Sequence, residues 1–330
     1  MNQINVQADR QIAVPMLFEP VFFDADIQLQ FRVISELYQH KYQLGIIDTL
    51  EDIVHKNAYC SPQYDGKIAI SERCVEAQDV EVALKWCYDE FRRTYLEKLA
   101  PLYTTARTAG DLTQLINLIT TLVTNGIKLD VQKVAWFGDP SLANTSLNWA
   151  KGAWTWLTEA GGLIDQGVVP TLNSLSGTAL TPTQAYELMQ EVIDNAYPEL
   201  KYVPNGRKRL HISGQLYDKV KRYLQNNAVT NGFMKEAIDG VEVTTFDGIP
   251  VIPHYDWDRT LFNNGGLVNQ NLILLTTVDN LVIATDLYEG SNNPAFFELY
   301  LDPKDKVLYF YARFIFDTNY VFPSLMSVAR

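Results

Sequence analysis

The chain has 330 residues, 47% of them hydrophobic and 12% aromatic, enough to bury one large core or two sub-domains of ordinary size. Its formal net charge of −12 argues against a dedicated duplex-DNA binder, which needs Lys and Arg to displace counterions from phosphates. Cys60, Cys74 and Cys87 are odd in number and lack CxxC spacing, so no disulfide framework or zinc cage is readable and three reduced thiols are expected.

The first twenty residues lack a basic start followed by an apolar core and do not read as a secretory signal. No apolar run reaches the ~18 residues of a membrane span, and the chain reads as cytoplasmic. Residues 1–30 have broken periodicity, interrupted by Pro15 and Pro20, yet carry Phe18, Phe22 and Phe23 among other apolar side chains. Such an arm either packs back on its own domain or lies across a neighbour. Residues 31–58 read as one or two short helices ending near Gly45, and residues 60–70 as a turn feeding a strand. The apolar positions from Val80 to Leu99 fall near helical spacing and are stopped by Pro101, which predicts a helix.

Residues 111–135 predict a long amphipathic helix of about 37 Å, with Leu112, Leu115, Ile116, Ile119, Leu122, Val123 and Ile127 on one face. Its other face is polar but uncharged from 112 to 127, with Thr113, Asn117 and Thr121 where a solvated helix would carry Lys and Glu. A neutral polar face fits a helix covered on both sides, although a helix that merely uses threonine gives the same pattern. After a WFGDP turn (136–140), residues 147–160 hold Trp149, Trp154 and Trp156 in a second apolar helix broken at Gly161-Gly162.

A Ser-, Thr- and Gly-rich loop at 170–182 marks a domain boundary, followed by a helix with Thr181 as cap and Pro182 at its first position. Next come a strand near 208–213, a helix at 214–225 and a hairpin at 241–254 around Asp247-Gly248. Residues 272–277 and 281–285 read as buried strands. The C-terminal region predicts a strand, a DPKDK turn and a long strand apolar on both faces, which belongs in the centre of a sheet.

Chemistry-bearing motifs are sparse. GxSxG, GxGxxG, HExxH and the Walker-type glycine loop are absent, and none of His40, His55, His211 and His254 has another histidine at i, i+4. The sharpest set is PHYDWDR, in which His254, Asp256 and Asp258 alternate along one face if the segment is extended. With His211 it would suit a divalent ion in a metal-dependent hydrolase using His211, His254 and Asp256; the plainer reading is a polar strand end. Lys201, Arg207, Lys208, Arg209, Lys219, Lys221 and Arg222 form a basic group in an acidic chain, either a solvated face or a contact with an acidic neighbour.

Taken in order, these segments resemble the major capsid proteins of tailed double-stranded DNA phages, the Hong Kong ninety-seven type fold, shared with encapsulin nanocompartments and herpesvirus capsid floors. The resemblance rests on the apolar arm, the long helix with its WFGDP turn, the FDGIPVIPHYDWD hairpin (246–258), the LILLTTVDNLVIATD strands and the final aromatic strand running into FDTNYVFPSLMSVA. It implies an α+β fold with an N-terminal arm (1–30), an extended-loop region (31–80), a peripheral domain begun at 81–182 with spine helix 111–135, an axial domain (183–285) and returning peripheral strands (286–330). It also implies a structural, non-enzymatic protein that self-assembles through hexamers and pentamers into an icosahedral shell. Portal and scaffold proteins are the implied partners, with DNA enclosed rather than read, no cofactor and no membrane. The implied location is the virion, assembled in the host cytoplasm. An encapsulin shell is the alternative within the same fold. Phe18, Phe22, Phe23, Thr113, Asn117, Thr121, Arg207, Lys208 and Arg209 are the expected assembly contacts.

Overall fold

The computed structural model describes residues 5–6, 21–35, 41–47, 70–87, 110–143, 146–175, 177–226, 234–238, 241–265, 270–286, 296–302, 304–305 and 307–330. The first half contains β1 (Asn5–Val6), α1 (Ala25–Gln28), β2 (Arg32–Ile34), β3 (Lys41–Ile47), β4 (Ile70–Glu76), β5 (Gln78–Cys87), α2 (Gly110–Phe137), α3 (Ala153–Thr158) and β6 (Thr171–Leu172). The second half contains α4 (Pro182–Asp194), α5 (Pro198–Tyr202), β7 (Lys208–Ser213), α6 (Gly214–Asn226), β8 (Met234–Ile238), β9 (Val241–Phe246), β10 (Ile249–His254), α7 (Tyr255–Gly265), β11 (Ile273–Thr277), β12 (Leu281–Thr285), β13 (Phe296–Asp302), β14 (Val307–Tyr320) and β15 (Ser327–Ala329).

The described strands form three sheets. The largest core lies under a six-stranded sheet ordered β1-β13-β14-β12-β2, with β5 also paired to β14. β14 is its long central strand, as the two-sided apolar pattern requires: it pairs antiparallel with β13 through Val307–Arg313, with β5 through Val307–Phe316 and with β12 through Phe316–Tyr320. Phe310, Ala312, Phe314 and Phe316 are buried, and β14 becomes buried on both faces from Phe314 to Tyr320. A seven-stranded sheet follows the order β6-β15-β11-β7-β10-β9-β8, with α4 and α6 on one face. There Leu188, Met189, Val192, Leu216 and Val220 pack on Leu210, Ile212, Val251 and Ile273. β3 and β4 form a separate antiparallel pair.

The long helix, predicted at 111–135, runs from Gly110 to Phe137. It buries Ile119, Val123, Ile127, Val131 and Val134 in the main core, a repeat of three and four residues that keeps one stripe inward. At roughly 1.5–3 kcal/mol per side chain, that stripe contributes about 8–15 kcal/mol before ordering costs. Thr181 caps α4 as expected: its hydroxyl accepts the Gln184 N–H while Gln184 accepts the Thr181 N–H, a capping box with Pro182 behind it.

Several expectations are corrected. Within 31–58 the described segments are the strands β2 and β3, not helices. The expected helix from Val80 is a strand to Cys87, because Val80, Val82, Leu84 and Trp86 alternate inward against exposed Glu81, Ala83, Lys85 and Cys87; residues 88–99 lie outside the described residues, as do 60–69. The second tryptophan helix shortens to Ala153–Thr158. PHYDWDR is not extended: His254 ends β10, and Tyr255 starts α7. The expected 183–285 unit loses β12, which lies beside β14 and β2, and the C-terminal segment gives β15 to the seven-stranded sheet.

Candidate functional site

The outward face of α2 carries two large apolar side chains, Leu122 at 43% exposure and Leu129 at 48%. Leu122 was expected on the buried stripe; instead it stands seven residues, two turns, before Leu129 on the solvent side, beside exposed Thr121. Only the backbone of α2 is described at Thr113 and Asn117. An apolar groove of about 610 Å³ opens between α2 and β5, with Trp149 and Phe314 among its lining.

Near the same helix, the segment leading into α1 is tied down by the Lys128 Nζ–Asp24 Oδ2 ion pair at 2.5 Å. That pair, more than half buried on both sides, holds the Asp24 carboxyl below its usual range against the opposing effect of burial. Phe22 is fully buried against Phe314 and Phe316, at centroid distances of 5.7 and 6.2 Å. It has no surface to offer a neighbour, so its expected interface role is withdrawn. Phe23, 38% exposed, does have such a surface. Phe18 lies outside the described residues.

The basic group divides. Arg207 is exposed and paired with Asp279 at 2.5 Å. Lys208 and Arg209 are buried, with only 6% and 3% of their surface exposed. Lys208 donates to Asn205 Oδ1 at 2.9 Å, and Arg209 donates to the Gly206 and Lys208 carbonyls at 2.8 Å each. These two cations therefore fasten the entry of β7 rather than face a neighbour, which corrects the expectation for both. Burial lowers the Lys208 pKa.

His211 and His254 do meet. β7 and β10 pair in parallel with His254 opposite Ser213 and His211 opposite Ile252, so the two rings lie on the same face two residues apart in register. His211 Nδ1 is 3.0 Å from His254 Nε2, and both side chains are buried. His254 stacks on Trp257 at 4.2 Å, and Trp136, at the end of α2, lies 4.9 Å from His211 and 5.1 Å from His254. Burial lowers both histidine pKa values, with His254 and then Arg209 adding to the effect at His211 and Asp256 opposing it at His254. A hydrolytic metal keeps an open coordination position for water; this pair is enclosed by indoles, with Asp256 Oδ1 3.5 Å from the far nitrogen of His254. Among the described residues no group of three or more His, Cys, Asp and Glu is placed to hold a metal ion. No described helix is long and apolar enough to cross a membrane.

Two anchors had no visible sequence signal. Asn280 donates to Thr276 Oγ1 and the Phe322 carbonyl and accepts the Phe322 N–H, tying the β11–β12 turn to the C-terminus. Asp317, on β14, accepts the Glu76 N–H at 3.1 Å and joins β4 to the main sheet.

No protein-family model and no curated protein matches the sequence. Solved structures do match. The satellite phage P4 procapsid, which includes the size determination (Sid) protein, matches with a TM-score of 0.51 and 12% identity over 91% of this chain and 92% of that one. The capsid of the native GTA particle matches with a TM-score of 0.51 and 12% identity, over 92% and 88%. The cyanophage A-1(L) capsid matches with a TM-score of 0.50 and 14% identity, over 92% and 91%. The chain has the mixed helix-and-sheet fold of phage capsid proteins, as its sequence resemblance implied.

Proposed function

We propose that this chain is a self-assembling shell subunit, the major capsid protein of a tailed double-stranded DNA phage. The observation that carries the reading is the likeness to phage capsid subunits across more than nine-tenths of the chain. Such a subunit works by geometry, with stability summed over many repeated contacts and no catalytic centre required. Portal and scaffold proteins are its further partners, and the negative net charge suits a container that encloses DNA without gripping it. Its place is the virion capsid, built in the host cytoplasm. Phe23, Thr113, Asn117, Thr121 and Arg207 remain contact candidates, joined by Leu122 and Leu129 on the outward face of α2.

Negative-stain microscopy of the chain expressed alone tests the proposal. Hexamers, pentamers or closed shells are expected, and Leu129→Lys should reduce them without lowering the melting temperature. A monodisperse monomer at all concentrations and salts would overturn the assembly reading. Shells that co-purify with an enzyme cargo would move the protein to the encapsulin alternative.

A further inference from the structure

We propose that His211 and His254 form a proton-operated joint between the end of α2 and the seven-stranded sheet, closed when the pair holds at most one extra proton and opened by the second. The joint lies where the two large cores meet. β7 and β10 present Leu210, Ile212 and Val251 to the core under α4 and α6, and turn His211 and His254 the other way, toward the core that contains α2. Trp136 covers both rings; it also touches Phe31 and Trp257, each at 4.8 Å, and donates its indole N–H to Gln30 Oε1 at 3.1 Å. One aromatic residue thus joins α2, the segment after α1, α7 and the sheet.

The proton count follows from the ring geometry. Neutral rings 3.0 Å apart share one hydrogen, one nitrogen donating and the other accepting. A first added proton is accommodated on His254: its Nε2–H donates to His211 Nδ1, and its Nδ1–H points to Asp256 Oδ1 at 3.5 Å, with Trp257 stacked on the ring. A second proton puts donors on both sides of the 3.0 Å gap and leaves no acceptor between them. Among the described residues it also has no counter-charge: His211 Nε2 is buried without a hydrogen-bond partner, and the charge reaching His211 from its own strand is that of Arg209. The rings must then separate, and Trp136 moves with them.

Among the described residues the charges around the pair are few. β7 contributes Arg209; α7 contributes Asp256, half-exposed, and Asp258, which accepts the Gln215 N–H from α6 at 2.9 Å. α2 presents Trp136, the segment after α1 presents the neutral Gln30, and β11, paired to β7, has no titratable side chain. Asp256 is therefore the group through which solvent and counter-charge reach the pair.

Hydrogen-exchange mass spectrometry on the purified full-length protein tests the joint. Exchange at the histidine C2 positions follows the titration of each ring, and amide exchange, corrected for its intrinsic pH dependence, reports opening. As His211 titrates below its ordinary value, amide exchange in 208–213, 249–257 and 130–137 should rise together by about tenfold or more while 281–285 stays protected. Asp256→Asn, which removes the carboxylate that holds the first proton in the closed pair, should move that opening to higher pH by about half a unit or more. Unchanged amide protection across the titration of His211 in the wild type overturns the proposal, as does opening at the same pH in the asparagine variant. The wild-type measurement decides even where a variant fails to fold.

Discussion

Replacing Asp317 with asparagine is expected to stabilise the subunit above neutral pH by up to about 4 kcal/mol. The Asp317 side chain is 9% exposed on β14, and burial pushes its pKa from 3.8 up to about 7, with the nearby Glu76 charge adding to the shift and the Thr318 and Glu76 N–H groups opposing it. The carboxyl therefore favours the fold when neutral. Its contribution is fully present below 3.8, where folded and unfolded chains are both protonated, and is lost as pH rises through about 7. A difference of roughly three units at ~1.4 kcal/mol each gives the ~4 kcal/mol. Asparagine has no charge to bury and keeps an oxygen for the Glu76 N–H. Urea unfolding of the unassembled subunit near pH 5 and pH 8 is the assay. The wild type should lose stability toward pH 8 relative to the variant, and parallel pH profiles would refute the reasoning.

Phe22→Ala should cost about 3–5 kcal/mol, read as a lowered melting temperature, because it empties a site between Phe314 and Phe316. Phe23→Ala should change stability by less than about 1 kcal/mol yet reduce particle formation; equal melting losses in the two variants would contradict their placement. Gly138→Ala should abolish soluble folded protein or lower the melting temperature steeply, since an added Cβ would lie 2.2 Å from the Ala150 carbonyl oxygen and 2.7 Å from Val134. A melting curve like that of the wild type would show that the WFGDP turn can relax.

Some of this protein was decided within short stretches of sequence. The long helix, the Thr181 cap, the 241–254 hairpin and the last long strand rest on patterns of one or two turns or on residue alternation, and each formed nearly where those patterns end. Segment 80–87 shows the limit: Val80, Val82, Leu84 and Trp86 alternate, yet Val80, Ala83, Leu84 and Cys87 also fall at helical spacing. A partner more than two hundred residues away, Val307–Phe316 of β14, resolves the ambiguity by supplying the backbone hydrogen bonds of a ladder. Distance in sequence likewise hid the sites. His211 and His254 were visible as residue types, but their 3.0 Å contact depends on the parallel register of β7 and β10 and on Trp136 arriving from α2. Phe22, Lys208 and Arg209 were expected as assembly contacts and are interior because the core and the loop carbonyls nearby had places for them. The sequence by itself determined which local elements form, since propensity, capping and periodicity act over a few residues. Only the tertiary structure decided which faces stay outside, because burial depends on what the rest of the chain brings against them.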